Sequence, residues 1–158
     1  MATTQITAAL TVHPFLEGFP PKYLEKLSQL GIEATFEPDQ IVFREGDPSS
    51  FFYLIVEGRV ALEISTPNRI LTIQTVEGGE ELGWSSLLSR VDKQFRARSL
   101  DPVRAIAFDG ARVIAACEED HEFGYLIMRK VLEIVAERLR ATRLQMLDVY
   151  ASKGAHGK

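Results

Sequence analysis

The sequence predicts a mainly β domain: a sandwich, roll or barrel of short antiparallel strands, with helices at its flanks and one long helix at its C-terminal end. Three observations predict it. From Ile32 to Phe108, short runs rich in β-branched and aromatic residues alternate with Gly, Pro and Asn. No segment of helical length interrupts those runs, which argues against a parallel sheet built from strand–helix–strand units. Beyond Asp120 the apolar residues take up helical spacing and keep it to about Tyr150.

Residues 1–12 are small and mixed in polarity, a loose arm or a short helix. From Pro21 to Leu30, the residues Tyr23, Leu24, Leu27 and Leu30 stand at helical spacing. Proline suits the first turn of this helix and Gly31 its end. The strand runs are Gln40–Arg44, Phe51–Val56, Arg59–Ile64, Arg69–Thr75, Arg96–Leu100 and Val103–Phe108. Glu57-Gly58 and Pro67-Asn68 make the tight turns between neighbouring runs. Asp109 caps a short helix over Ala111–Cys117, and Asp120 caps the long one. The chain thus divides into a helical N-terminus (1–31), a β region (32–108) and C-terminal helices (109–150), with 151–158 expected as a flexible tail.

Composition narrows the function. Of the 158 residues 46% are hydrophobic and 25% charged, enough to bury a core and too apolar for wholesale disorder. Lys and Arg number 18 against 22 Asp and Glu, a net charge of −4, which suits a dedicated nucleic-acid binder poorly. Residues 1–89 hold 5 basic and 12 acidic side chains and residues 90–158 hold 13 and 10, a mild asymmetry that reads as ordinary surface. The single cysteine, Cys117, forms no internal disulfide, as in a reducing compartment. The first residues do not read as a secretory leader, and no apolar run approaches the roughly 18 residues of a membrane helix. A cytoplasmic protein with no membrane partner is expected.

The chemistry of catalysis is hard to find. The histidines are His13, His121 and His156, none within the β region, so the His/Glu cluster of a jelly-roll metalloenzyme is missing and no metal is expected. Cys117 ends the apolar stretch Val113-Ile114-Ala115-Ala116 and reads as an inert packed thiol. Glu80-Glu81 and Glu118-Glu119-Asp120 are neighbours whose side chains point apart, and structural roles fit them better than acid–base work. There is no P-loop and no nucleophile elbow. No catalytic residue is assigned, and a non-enzymatic protein is expected.

Two features point to binding. The stretch Gly78-Gly79-Glu80-Glu81-Leu82-Gly83-Trp84-Ser85-Ser86-Leu87-Leu88 is a glycine-rich turn opening into a helical turn, a shape whose backbone N–H groups can cradle an anion. The basic residues Arg90, Lys93, Arg96 and Arg98 follow it. On the long helix, Met128, Leu132, Val135, Leu139, Thr142, Met146 and Val149 repeat in steps of four and three, the seam of a coiled coil. Ile127, Val131 and Ile134 offer a second face for packing on the helix's own domain. Two faces need two partners, and a homodimer through the seam is expected.

Three motifs carry a family resemblance: Ile41-Val42-Phe43-Arg44-Glu45-Gly46-Asp47, Phe51-Phe52-Tyr53-Leu54-Ile55-Val56-Glu57-Gly58-Arg59-Val60, and Gly79 to Leu88. Together they resemble the cyclic-nucleotide-binding domain of bacterial catabolite-activator-type regulators, over about residues 14–150. The resemblance implies an eight-stranded β-roll (a jelly-roll) with flanking helices and a long dimerisation helix. It also implies a ligand site. In the family a cassette glycine precedes a glutamate that bonds the ribose; here Gly83 precedes Trp84 and Ser85. An arginine then holds the cyclic phosphate. Counting back from Arg98-Ser99-Leu100 puts Lys93 there, counting forward from Gly83 puts Gln94 there, and Arg96-Ala97 has matching residue types. Glu77, Glu80 and Glu81 add negative charge to the approach. Thr142 falls at the family's base-contact position, which is also a seam position.

The resemblance thus implies a regulatory sensor with a degenerate cassette, binding cyclic nucleotide weakly or a different small anionic ligand, and carrying no built-in cofactor. The alternative is a ligand-free dimerisation or protein-interaction module of the same fold. The family's transcription factors continue into a helix-turn-helix after the long helix; none is seen here, so no DNA binding by this chain alone is expected.

Overall fold

Among the described residues, eight antiparallel strands form two four-stranded sheets that face each other, with the helices packed on the outer side of one of them. The computed structural model describes residues 2–48, 50–88 and 92–155. In chain order the elements are α1 (Ala2–Val12), a 3-10 turn (Pro14–Leu16), α2 (Pro21–Leu30), β1 (Gly31–Phe36), β2 (Ile41–Phe43), β3 (Phe51–Glu57), β4 (Arg59–Ser65), β5 (Ile70–Glu77), β6 (Glu81–Leu82), a second 3-10 turn (Trp84–Leu87), β7 (Arg96–Ser99), β8 (Val103–Asp109), α3 (Gly110–Glu119) and α4 (His121–Ala155). The sheets run β1-β8-β3-β6 and β2-β7-β4-β5. This is the expected β-roll, and all six strand runs read from the residues are present.

The alternation of side chains along β3 and β8 builds two cores from one sheet. Ile55, Val103 and Ala105 point into the roll, where they meet Phe43, Val60, Leu62, Val76 and Ala97 of the facing sheet. Phe52, Leu54, Ile106 and Phe108 point the other way, onto Leu10, Phe15, Tyr23, Phe123 and Ile127 of the helices. Both faces of these strands are therefore buried, which explains their nearly continuous apolar runs. Each buried Val, Leu, Ile or Phe among them contributes roughly 1.5–3 kcal/mol by leaving water.

The residue reading named no strand at β1 or β6. β1 pairs with β8 from Gly31 opposite Phe108 to Phe36 opposite Val103. Gly31 does end α2, but in an extended rather than a left-handed conformation (φ −83). It is glycine for a steric reason: a Cβ there would lie 2.8 Å from Ile106 Cγ2. Of the two forms expected for the start of the chain, a loose arm or a short helix, it takes the helix, α1, anchored by Ile6 and Leu10 in the helix-side core. Its end is pinned by the buried His13, whose Nε2 donates to Ile55 O at 2.9 Å while Nδ1 accepts from Phe15 N at 3.2 Å. That pattern requires a neutral ring, and burial lowers the His13 pKa accordingly.

Asp109 and Asp120 cap their helices as the sequence indicates, accepting from Ala111 N and Phe123 N. Phe123, Ile127 and Val131 of α4 are buried against the domain. The helix continues to Ala155, so helix replaces most of the segment expected as a flexible tail. From Leu139 to Gly154 every residue is exposed. This last stretch of α4, about 24 Å at 1.5 Å per residue, stands clear of its own domain.

Candidate functional site

The glycine-rich turn and Lys93 come together at the mouth of the roll. Gly83 adopts a left-handed conformation (φ 82) and starts the 3-10 turn Trp84–Leu87. A Cβ on Gly83 would lie 2.6 Å from Phe51 O and 3.0 Å from Lys93 Nζ, so only glycine allows the lysine to reach the turn. Lys93 itself is held by its backbone: its N–H donates to Asp47 O at 2.9 Å and its carbonyl accepts from Gly46 N at 2.8 Å. The Glu45-Gly46-Asp47 turn thereby fixes where the amine goes.

Lys93 is 5% exposed as a residue, and its ammonium has few partners among the described residues. It has three N–H donors. Its described neighbours are Ser85 Oγ at 3.5 Å and the face of Phe43, whose ring centroid is 4.3 Å away. Among the described residues no carboxylate lies within ion-pair distance of it. Burial brings the amine down to about 8 from the ordinary 10.5. It lines a cleft of about 260 Å³ together with Val42, Phe43, Asp47, Pro48, Phe51 and Tyr53. Burial raises the Tyr53 pKa as well, so its phenol remains protonated and can donate.

The other basic candidate lies elsewhere. On β7, Ala97 points into the roll, so Arg96 and Arg98 point out of it. Both grip Glu63 of β4, Arg96 through Nε and Nη2 at 3.1 and 2.8 Å, Arg98 through Nε and Nη2 at 3.2 and 3.0 Å. Arg98 also bonds Asp39 at 2.8 Å. Hydrogen bonds from Arg98 hold the Glu63 carboxyl below its usual range against the opposing effect of burial. Arg96 is thus committed to a structural cluster on the far side of β7 from the cleft. Gln94 is exposed, its amide donating to Asp92 O at 3.2 Å. Arg90 lies outside the described residues.

Trp84 does not fill the roll; half-buried, it packs against the helix-side core, so the turn that carries it leaves the cleft open. Thr142 lies on the free part of α4, its hydroxyl donating to Arg138 O at 2.9 Å. Of the acidic residues near the turn, Glu80 accepts from Glu77 N at 2.7 Å and Glu81 is paired with Arg138 at 2.8 Å. The Glu81–Arg138 contact, with Arg138 also donating to Glu81 O at 3.1 Å, ties α4 to the strand that leads into Gly83. Burial raises the Glu81 pKa, and Arg138 opposes that shift.

A larger groove of about 610 Å³ lies between the second 3-10 turn and α3. The charged residues among its described lining are Asp109 and Glu118, which suit no anion. No described helix is long and apolar enough to cross a membrane, and no metal-type cluster of His, Cys, Asp and Glu occurs among the described residues.

A two-sheet roll, a left-handed glycine in the turn at its mouth and a long helix tied to the strand before that turn make up the arrangement. The family model for the cyclic nucleotide-binding domain matches residues 33–120. The chain belongs to this family. A CRP-like cAMP-activated global transcriptional regulator of Mycobacterium tuberculosis is 24% identical over 134 residues, covering 84% of this chain and 58% of the regulator. An acetyltransferase of Mycolicibacterium smegmatis is 30% identical over 101 residues, 63% of this chain and 30% of that protein. The solved structure of a cyclic nucleotide-binding domain from Methylobacillus flagellatus superposes with a TM-score of 0.79 at 18% identity, over 92% of this chain and 83% of the other. The chain spans from 26% to 58% of the length of the curated relatives it matches.

Proposed function

We propose that this chain is a non-enzymatic, homodimeric sensor module whose cleft at the roll mouth binds a small anion, with Lys93 as the anion's partner. The observation that carries the reading is the Lys93 ammonium, held against Gly83 and Ser85 with no carboxylate in ion-pair range among the described residues. A buried, unpaired charge is costly, and an anionic ligand would offset that cost. Lys93 takes the role of the cassette arginine; Arg96 and Gln94 do not. A lysine gives a point charge rather than a planar fork, and no carboxylate follows Gly83 to bond a ribose. Cyclic AMP and cyclic GMP are therefore expected to bind weakly or not at all.

The dimer rests on α4. Met128, Leu132, Leu139, Met146 and Val149 are all at least 37% exposed and share the seam, while Val135 is partly buried against the domain. The Glu81–Arg138 pair gives the cleft a mechanical link to that helix. The test joins sedimentation to titration. The protein is expected to sediment as a dimer at micromolar concentration, and Trp84 fluorescence is expected to stay flat with cyclic AMP or cyclic GMP up to high micromolar. A saturable low-micromolar response to either nucleotide that Lys93→Met leaves intact would overturn the reading of the cleft, and a monomer would overturn that of the seam. The ligand-free interaction module is a second reading, favoured by Leu144 and Leu147, which are exposed at 51% and 63% and lie off the seam.

A further inference from the structure

The walls of the cleft say what kind of anion it suits. Resting on the sensor reading above, we propose that its ligand is an aromatic monocarboxylate of about one ring, with the carboxylate on Lys93 and the ring among Phe43, Phe51 and Tyr53. Four observations carry this. One cation serves the cleft among its described lining residues, and Asp47 lies on the same wall, so a single negative charge is matched and a second is opposed. Asp47 is itself occupied, accepting from Arg44 N at 2.9 Å, and does not neutralise Lys93. Phe51 is 38% exposed at the mouth although it sits on an inward-facing position of β3, and its ring centroid is 6.3 Å from that of Tyr53. An uncovered phenylalanine beside a second ring is a surface on which a third ring can pack, edge to face or offset. The cleft, at about 260 Å³, lies just below the roughly 300–1,000 Å³ of sites for drug-sized ligands, a size that suits one ring better than a nucleotide.

The two halves of the cleft act differently. Lys93 gives a charge-assisted hydrogen bond in a poorly hydrated setting, where it is stronger than at a surface. Its two N–H donors not directed at Ser85 Oγ are enough for both oxygens of a carboxylate. The rings select by shape and exclude water, and the Tyr53 phenol offers a donor to a ring substituent.

Calorimetric titration of the wild-type protein with benzoate, benzamide, acetate, inorganic phosphate and cyclic AMP tests this without relying on a variant that could misfold. Benzoate is expected to bind saturably, at least about tenfold tighter than benzamide, which lacks the charge, and than acetate, which lacks the ring. Lys93→Met is expected to remove the benzoate signal, and Phe51→Ala to weaken it by about tenfold or less. If phosphate or cyclic AMP binds in a Lys93-dependent way and benzoate does not, the aromatic assignment is wrong and the sensor reading stands. If benzoate and benzamide bind equally, Lys93 does not select the ligand and the assignment is likewise overturned. If none of the five gives heat or perturbs Trp84, both readings fall.

Discussion

Replacing Lys93 by methionine removes a buried charge and keeps the length and most of the volume of the side chain. The drop of the amine from 10.5 to about 8 gives the cost of burying it, roughly 3 kcal/mol at 1.36 kcal/mol per unit. Attraction to the Phe43 face returns about 1 kcal/mol of this, and water entering the cleft screens part of the remainder. Lys93→Met is therefore expected to stabilise the ligand-free protein by about 1–2 kcal/mol at pH 7, or about 2–8 °C in melting temperature. The pH dependence adds a sharper signature. The folded pKa lies below the unfolded one, so between about 8 and 10.5 the unfolded chain binds more protons and wild-type stability rises with pH. The cost is fully present below about 8 and gone by 10.5. The gap between variant and wild type should close across that window in thermal or urea unfolding. A Lys93→Met protein less stable than wild type at pH 7 would show instead that the amine is already well paired.

Leu139→Lys places a charge in the α4 seam and should give monomer in sedimentation experiments at a concentration where the wild type is dimeric. Glu63→Ala leaves Arg96 and Arg98 facing each other without their carboxylate and should cost about 3 kcal/mol in urea unfolding, while Arg96→Ala should leave anion binding at the cleft within twofold of wild type. His13 is held neutral, with a folded pKa below its unfolded value of 6.5, so its contribution is complete above about 6.5 and declines as the pH falls below that. A scan of melting temperature from pH 5 to 7.5 should be flatter for His13→Gln than for the wild type.

The architecture was largely legible because strands buried on both faces are apolar runs closed by turns, and Phe51 to Glu57 and Val103 to Asp109 are such runs. β1 escaped because, at the sheet edge, Glu33 and Thr35 alternate with partly exposed neighbours, and β6 is two residues long. In the candidate site, counting back from the Arg98 strand points to Lys93, which the fold places on the wall of the cleft. Local spacing does not say which side of the sheet Arg96 takes. The period of two does: Ala97 is the inward residue, so Arg96 shares its outward face with Arg98 and lies opposite Glu63 in the register. Phe51 and Tyr53 could be placed on one face of β3 by the same rule. That this face borders a cleft depends on Asp47 and Lys93, which lie 4 and 42 residues from Phe51 in sequence and meet it only in the fold. The Glu81–Arg138 tie is likewise long-range, between a two-residue strand and the middle of α4.

Lys93 keeps an ammonium buried at the roll mouth with no carboxylate in ion-pair range among the described residues. Nitrogen-detected NMR titration of the Lys93 Nζ, assigned by comparison with Lys93→Met, measures this directly. A midpoint at about 8 is expected in the free protein, moving upward when a small anion occupies the cleft. A midpoint near the ordinary 10.5, unmoved by any anion, would contradict it.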